Sequence, residues 1–109
     1  MAKSSDNLQG SLELLVLKTL ETAPNHGFGI AAHVNAASEQ LIQIEEGSLY
    51  PALHRLEREK MVIASWQVTE NGRRARLYRL TPAGKKRLSD VRSNWKTVAR
   101  GVKKVLKFA

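Results

Sequence analysis

A mainly α-helical chain with one β-hairpin is the fold class this sequence predicts, and three observations predict it. Apolar residues recur at helical spacing from Leu8 to Leu56. The period changes from 3.6 to 2 after Met61, with Asn71-Gly72 between two alternating runs. It returns to a helical spacing after Pro82, which then holds almost to the end.

Each element follows from its residues. Residues 1–7 carry no apolar stripe and are expected as a disordered lead-in. Leu8, Leu12, Leu15, Val16 and Leu20 make the stripe of a first helix, and Leu14 and Leu17 widen it, so that it is buried on more than one side. Pro24 ends this region and Asn25 is a candidate cap for a second helix over 26–38, with Ile30, Val34 and Ala37 facing inward. Gly27 and Gly29 lower helix propensity there, which implies another backbone packed closely against them. "LIQI" at 41–44 is short and apolar, as a brief strand would be.

The stretch "EEGSLYPALHRLEREK" continues as a third helix whose Leu49, Leu53 and Leu56 share one face. Pro51 interrupts it. If Gly47 or Ser48 is the cap, the proline falls in the first turn, where a missing N–H costs little. "MVIASWQV" and "RARLYRL" are strands, and a type I′ turn at Asn71-Gly72 joins them. Trp66 is then a core residue. Thr81 caps the last helix and Pro82 starts it. Leu88, Val91, Trp95, Val98, Val102 and Val105 are spaced 3, 4, 3, 4, 3, a narrow seam of the kind that zips one helix to another.

Helix, helix, short strand, helix, hairpin and long helix form, in order, a winged helix-turn-helix (8–81) followed by a C-terminal dimerisation helix (82–109). In such a fold the third helix enters the major groove. Its polar side offers Ser48, Tyr50, Pro51, His54, Arg55 and Arg58, and the hairpin carries Arg73, Arg74 and Arg76. These side chains are the candidate contacts to phosphates and base edges.

Charge agrees. Residues 1–70 hold 5 Lys/Arg against 9 Asp/Glu, whereas residues 71–109 hold 13 against the single Asp90, within a total of +8. A basic half implies an anionic partner. Double-stranded DNA is the first choice; an anionic membrane surface or RNA is the alternative, and a solvated basic tail needs no partner at all. The apolar side of the last helix is narrow for a membrane surface, so no membrane partner is expected. Its basic residues, Lys85 to Lys107, are solvated by default.

Other classes find little support. The chain has no cysteine, which excludes disulfides and thiolate chemistry and fits a cytoplasmic protein. No apolar run reaches membrane-span length. There is no glycine-rich phosphate loop and no hydrolase motif, so no enzyme and no cofactor are expected. His26 and His33 stand two helical turns apart and His54 lies on another helix, which argues against a metal. Trp95 has two open roles: packing across the seam, or an aromatic wall for a small, flat hydrophobic effector.

At "GSLYPALHRLE" and "YRLTPAG", supported by "LELLVLKTL", "HGFGIAAHV" and a tryptophan in the last helix, the chain resembles the PadR family of bacterial transcription regulators. The resemblance covers nearly the whole chain. It implies a homodimeric winged-helix protein, in most members a repressor, acting on inverted-repeat operators. It places the recognition helix between Gly47 and Leu56 and makes Tyr50 the first DNA contact to consider. One departure is Phe28, where the family usually has tyrosine.

Overall fold

A computed structural model describes residues 2–108. Helix α1 spans Ala2–Thr22, strand β1 Asn25–His26, helix α2 Gly27–Ala37, helix α3 Glu46–Arg58, strand β2 Val62–Val68, strand β3 Arg74–Leu80 and helix α4 Pro82–Phe108. The strands form one antiparallel sheet in the order β1-β3-β2.

The core lies where α1, α2, α3, the sheet and the first turns of α4 converge. Val16, Leu17, Leu20, Ile30, Leu49, Leu53, Leu56, Val62, Tyr78 and Leu88 are buried together there. At about 1.5–3 kcal/mol for each large apolar side chain, this cluster is the main source of stability. Val16, Leu17 and Leu20 of α1 and the leucine face of α3 are buried as the spacing requires, Leu12 and Leu15 are partly buried, and Ala37 of α2 is exposed.

Several expectations are corrected. Helix α1 starts at Ala2, so the lead-in expected over 1–7 is helical from its second residue. No strand forms at 41–44. Its place in the sheet is taken by Asn25 and His26, which pair with Tyr78 and Leu77 on the free edge of β3. A strand of two residues leaves no period to read. The 38–45 loop is held instead by side chains: Asn35 Oδ1 accepts from the Ile44 N–H at 3.1 Å, and Ser38 Oγ from the Ile42 N–H at 3.0 Å.

Helices α2 and α3 end alike, and neither end has a glycine. After α3, the Met61 N–H donates to the Leu56 carbonyl and the Lys60 N–H to that of Glu57, with Lys60 at φ 65°. After α2, Gln40 and Glu39 donate to Asn35 and Ala36, with Glu39 at φ 54°. These are Schellman caps built on L-residues in the left-handed region.

Asn71-Gly72 does turn the hairpin, but not as a two-residue type I′ turn. Val68 pairs with Arg74, the Gly72 N–H donates to the Thr69 carbonyl, and the Thr69 N–H donates to the Arg73 carbonyl. Only Gly72 has positive φ, at 80°. The loop is therefore the three-residue kind, a turn followed by a glycine bulge.

Thr81 caps α4 as its side chain suggests: Oγ1 accepts from the Gly84 N–H at 3.0 Å. Gly84 is fixed by packing, since a Cβ there would collide with the Met61 carbonyl oxygen. On the same helix, Arg87 donates to Glu13 of α1 at 3.1 Å and lies 3.0 Å from Glu59, just past α3. It joins three segments and belongs to the fold rather than to the basic face of α4.

Candidate nucleic-acid interface

Helix α3 begins two to three residues earlier than a cap at Gly47 or Ser48 requires. Its N-cap is Glu45, so Pro51 lies beyond the first turn. The proline leaves the Gly47 carbonyl without a helical N–H. Both residues are exposed, so this acceptor opens to the outside and not to the core.

By helical spacing, Gly47, Pro51, His54 and Arg58 form the row opposite the buried leucines, and all are exposed. Ser48 and Arg55 lie on one shoulder. With Pro51 they line a cleft of about 500 Å³ between α3, α1 and the 42–45 loop. Tyr50 lies on the other shoulder, partly buried against α2. A Cβ on Gly27 would meet its ring at 2.7 Å. The two α2 glycines thus make room for side chains, Tyr50 at Gly27 and Asn25 at Gly29, and not for a second backbone. The α2 N-cap is His26, without a side-chain bond; Asn25 Oδ1 accepts from the His26 N–H at 2.8 Å.

The wing is fixed to this helix. Arg76 Nη2 donates to Glu57 Oε2 at 2.8 Å, and its guanidinium lies 5.5 Å from the Trp66 ring centroid and 5.9 Å from that of Tyr78. Its Nε is buried without a partner. Burial pushes the Tyr78 phenol above its ordinary value, with Arg76 acting the other way, so the ring stays neutral beneath this cation. His26 Nδ1–H donates to the Arg76 carbonyl at 3.1 Å, and the His26 and Phe28 rings stack 5.6 Å apart.

Trp66 is not a core residue. It is 57% exposed on the wing, with the Arg74 guanidinium 4.7 Å over its ring. Alternation from buried Val62 through Ala64 puts Trp66 on the core-side face with Tyr78 and Arg76, and it is exposed because the hairpin has run past the core at that point. The three wing arginines therefore differ. Arg73 is exposed at the loop with no ion pair among the described residues, Arg74 is held by Trp66, and Arg76 is turned in toward α3.

The seam of α4 is also divided. Leu88 is only 2% exposed, inside the domain's own core, so it is not a free dimerisation residue. Val91 is half-buried, whereas Trp95, Val98, Val102 and Val105 are exposed, from 46% at Val98 to 67% at Val105.

Comparison with known proteins agrees with this architecture. The profile of the transcriptional regulator PadR-like family matches residues 16–90. A transcriptional regulator from Clostridium thermocellum superposes with a TM-score of 0.82 at 26% identity, covering 92% of this chain and 94% of its own. A PadR family transcriptional regulator from Eggerthella lenta gives 0.79 at 28% identity, covering 99% and 93%. The transcriptional regulator Rv3488 of Mycobacterium tuberculosis is 40% identical over 60 residues, 55% of each chain. With a winged helix carrying an open α3 row and a tethered basic hairpin, and with the family profile spanning most of its length, this chain belongs to the PadR-like family of transcriptional regulators.

Proposed function

We propose that the chain is a cytoplasmic, sequence-specific repressor that binds double-stranded DNA as a homodimer on an inverted repeat. The observation that carries this reading is the exposed row Gly47, Pro51, His54 and Arg58 beside a wing bonded to the same helix. The row enters the major groove. Arg58 and His54 have the donors to address base edges, and Arg73 and Arg74 hold phosphates alongside. Tyr50 supports the row from its packed position on Gly27, with its phenol edge toward the backbone.

The second copy covers the distal seam of α4. A contiguous exposed line of Trp95, Val98, Val102 and Val105 is the kind of apolar surface that a partner covers. A two-fold axis there presents two α3 rows to two half-sites. The Trp95 indole, half-exposed on that seam, also suits a flat hydrophobic effector that relieves repression. Saturable quenching of its fluorescence by planar aromatics supports that role, and its absence removes it.

Sedimentation and duplex binding test the reading together. The wild-type chain is expected as a dimer at micromolar concentration, and Val102→Glu as a monomer with greatly weakened operator affinity. A monomeric wild type, or a Val102→Glu monomer that binds as tightly, contradicts it.

A further inference from the structure

The distal half of α4 carries a second surface that the α3 row and wing do not use. Every residue from Arg92 to Lys107 except Ala99 is exposed. On this stretch and just before it, Lys85, Arg92, Lys96, Lys103 and Lys107 recur at i, i+7, i+11, i+18 and i+22, one line along the helix, and Arg100 lies beside them. At 1.5 Å per residue the line is about 33 Å long. Among the described residues, none of these cations is within ion-pair distance of a carboxylate; the α4 pairs are made by Arg87, on another side. Glu21 stands near the proximal end. Its hydrogen bond from Lys18 at 2.9 Å first, and then the charges of Lys18, Arg92 and Lys85, hold its carboxyl below the ordinary range. That acid is already engaged.

The geometry separates this line from the apolar seam. Trp95, Val98, Val102 and Val105 lie around the helix from it, so a second copy seated on the seam leaves the cations open to solvent. Ser89 and Ser93 sit among the cations and add hydroxyl donors.

We propose that this stripe is a second nucleic-acid surface, which takes the phosphate backbone of a duplex without reading its sequence. The length of the line matches about one turn of duplex, roughly 34 Å. Hydroxyls interspersed with cations suit phosphate oxygens. A helix lying in a membrane surface places cations on its polar face with the apolar face sunk in lipid. Here the apolar line Trp95, Val98, Val102 and Val105 is narrow, too slender a face to sink a helix in lipid. A dimer with stripes apart from its α3 rows can hold one duplex by sequence and a second by charge.

The test uses the full chain and the variant Lys96→Gln/Arg100→Gln/Lys103→Gln/Lys107→Gln. Glutamine is a good helix former, and the sites are exposed, so circular dichroism should show unchanged helicity. Two readouts are taken on random duplexes: the dependence of log affinity on log salt, and energy transfer between donor- and acceptor-labelled duplexes brought together by the protein. The variant is expected to lose the energy transfer and to bind with a salt slope shallower by about 0.9 for each phosphate contact removed. Arg73→Ala/Arg74→Ala, which disables the wing, should keep the stripe-dependent part of the slope, so failure of the α3 reading and failure of this one are distinguishable. Equal slope and equal energy transfer in variant and wild type overturn the proposal. So does stripe-dependent binding to phosphatidylglycerol-containing vesicles without stripe-dependent binding to duplex.

Discussion

The Arg76 guanidinium donates to the Glu57 carboxylate at 2.8 Å, and each side chain is 31% exposed, so an ion pair ties the wing to helix α3. With its guanidinium engaged by Glu57, Arg76 is expected to position the wing rather than to hold a phosphate. Arg76→Gln should weaken duplex binding while leaving the salt slope unchanged. Arg74→Gln should flatten it by about 0.9. A double-mutant cycle between Arg76 and Glu57 should return a coupling of about 1 kcal/mol in stability, as for a partly exposed pair. If Arg76→Gln flattens the slope as much as Arg74→Gln does, Arg76 touches phosphate.

Gly27 of α2 and the Tyr50 ring of α3 are in close contact. In Gly27→Ala the new methyl meets the Tyr50 ring, and the expected loss is about 1–3 kcal/mol in urea denaturation. Adding Tyr50→Ala to Gly27→Ala should remove the clash, so the double variant is more stable than the sum of the single losses predicts. Strict additivity would show that the two residues are not in contact.

Much of this was legible because period and punctuation are strong in this chain. The leucines of α1 and α3, the alternation of the hairpin strands, the Thr81-Pro82 start of α4 and the narrow α4 seam each carry a physical rule in their spacing. What was not legible had no local signature. Strand β1 is two residues long and exists because β3 offers an edge. The ends of α2 and α3 use Glu39 and Lys60 where glycine would have announced them. Glu45 is an unusual N-cap, without a side-chain bond, and it moved Pro51 out of the first turn. At the candidate interface the polar side of α3 could be read, but its division into an outward row and two shoulders could not. That division comes from the neighbours, α2 against Tyr50 and α1 with the 42–45 loop beside Arg55. The inward turn of Arg76 depends likewise on a carboxylate nineteen residues away.

Lys60 is in the left-handed region at φ 65°, where an L-residue is disfavoured by about 1–2 kcal/mol. Lys60→Gly should therefore raise stability by about 1 kcal/mol after glycine's greater unfolded freedom is allowed for. Thermal denaturation of Lys60→Gly beside Lys60→Ala checks it. Equal melting temperatures for the two would mean that the backbone stores no strain there.

Thr81 ties the start of α4 to the α3–β2 junction through the Gly84 N–H and the Lys60 and Met61 carbonyls. Thr81→Ala should cost about 1–2 kcal/mol, and Thr81→Ser should restore most of it. A serine variant no better than alanine would point to the lost methyl instead of the lost cap.

Selection of bound sequences from a random duplex pool, with wild type and Arg58→Ala side by side, tests most directly whether the outward row of α3 reads DNA. Wild type should enrich an inverted repeat whose half-sites lie about 34–36 Å apart, or a multiple of that, along the duplex. Arg58→Ala should enrich the same repeat with one position relaxed in each half. No enriched sequence with wild type, or an identical motif at every position with Arg58→Ala, contradicts the account.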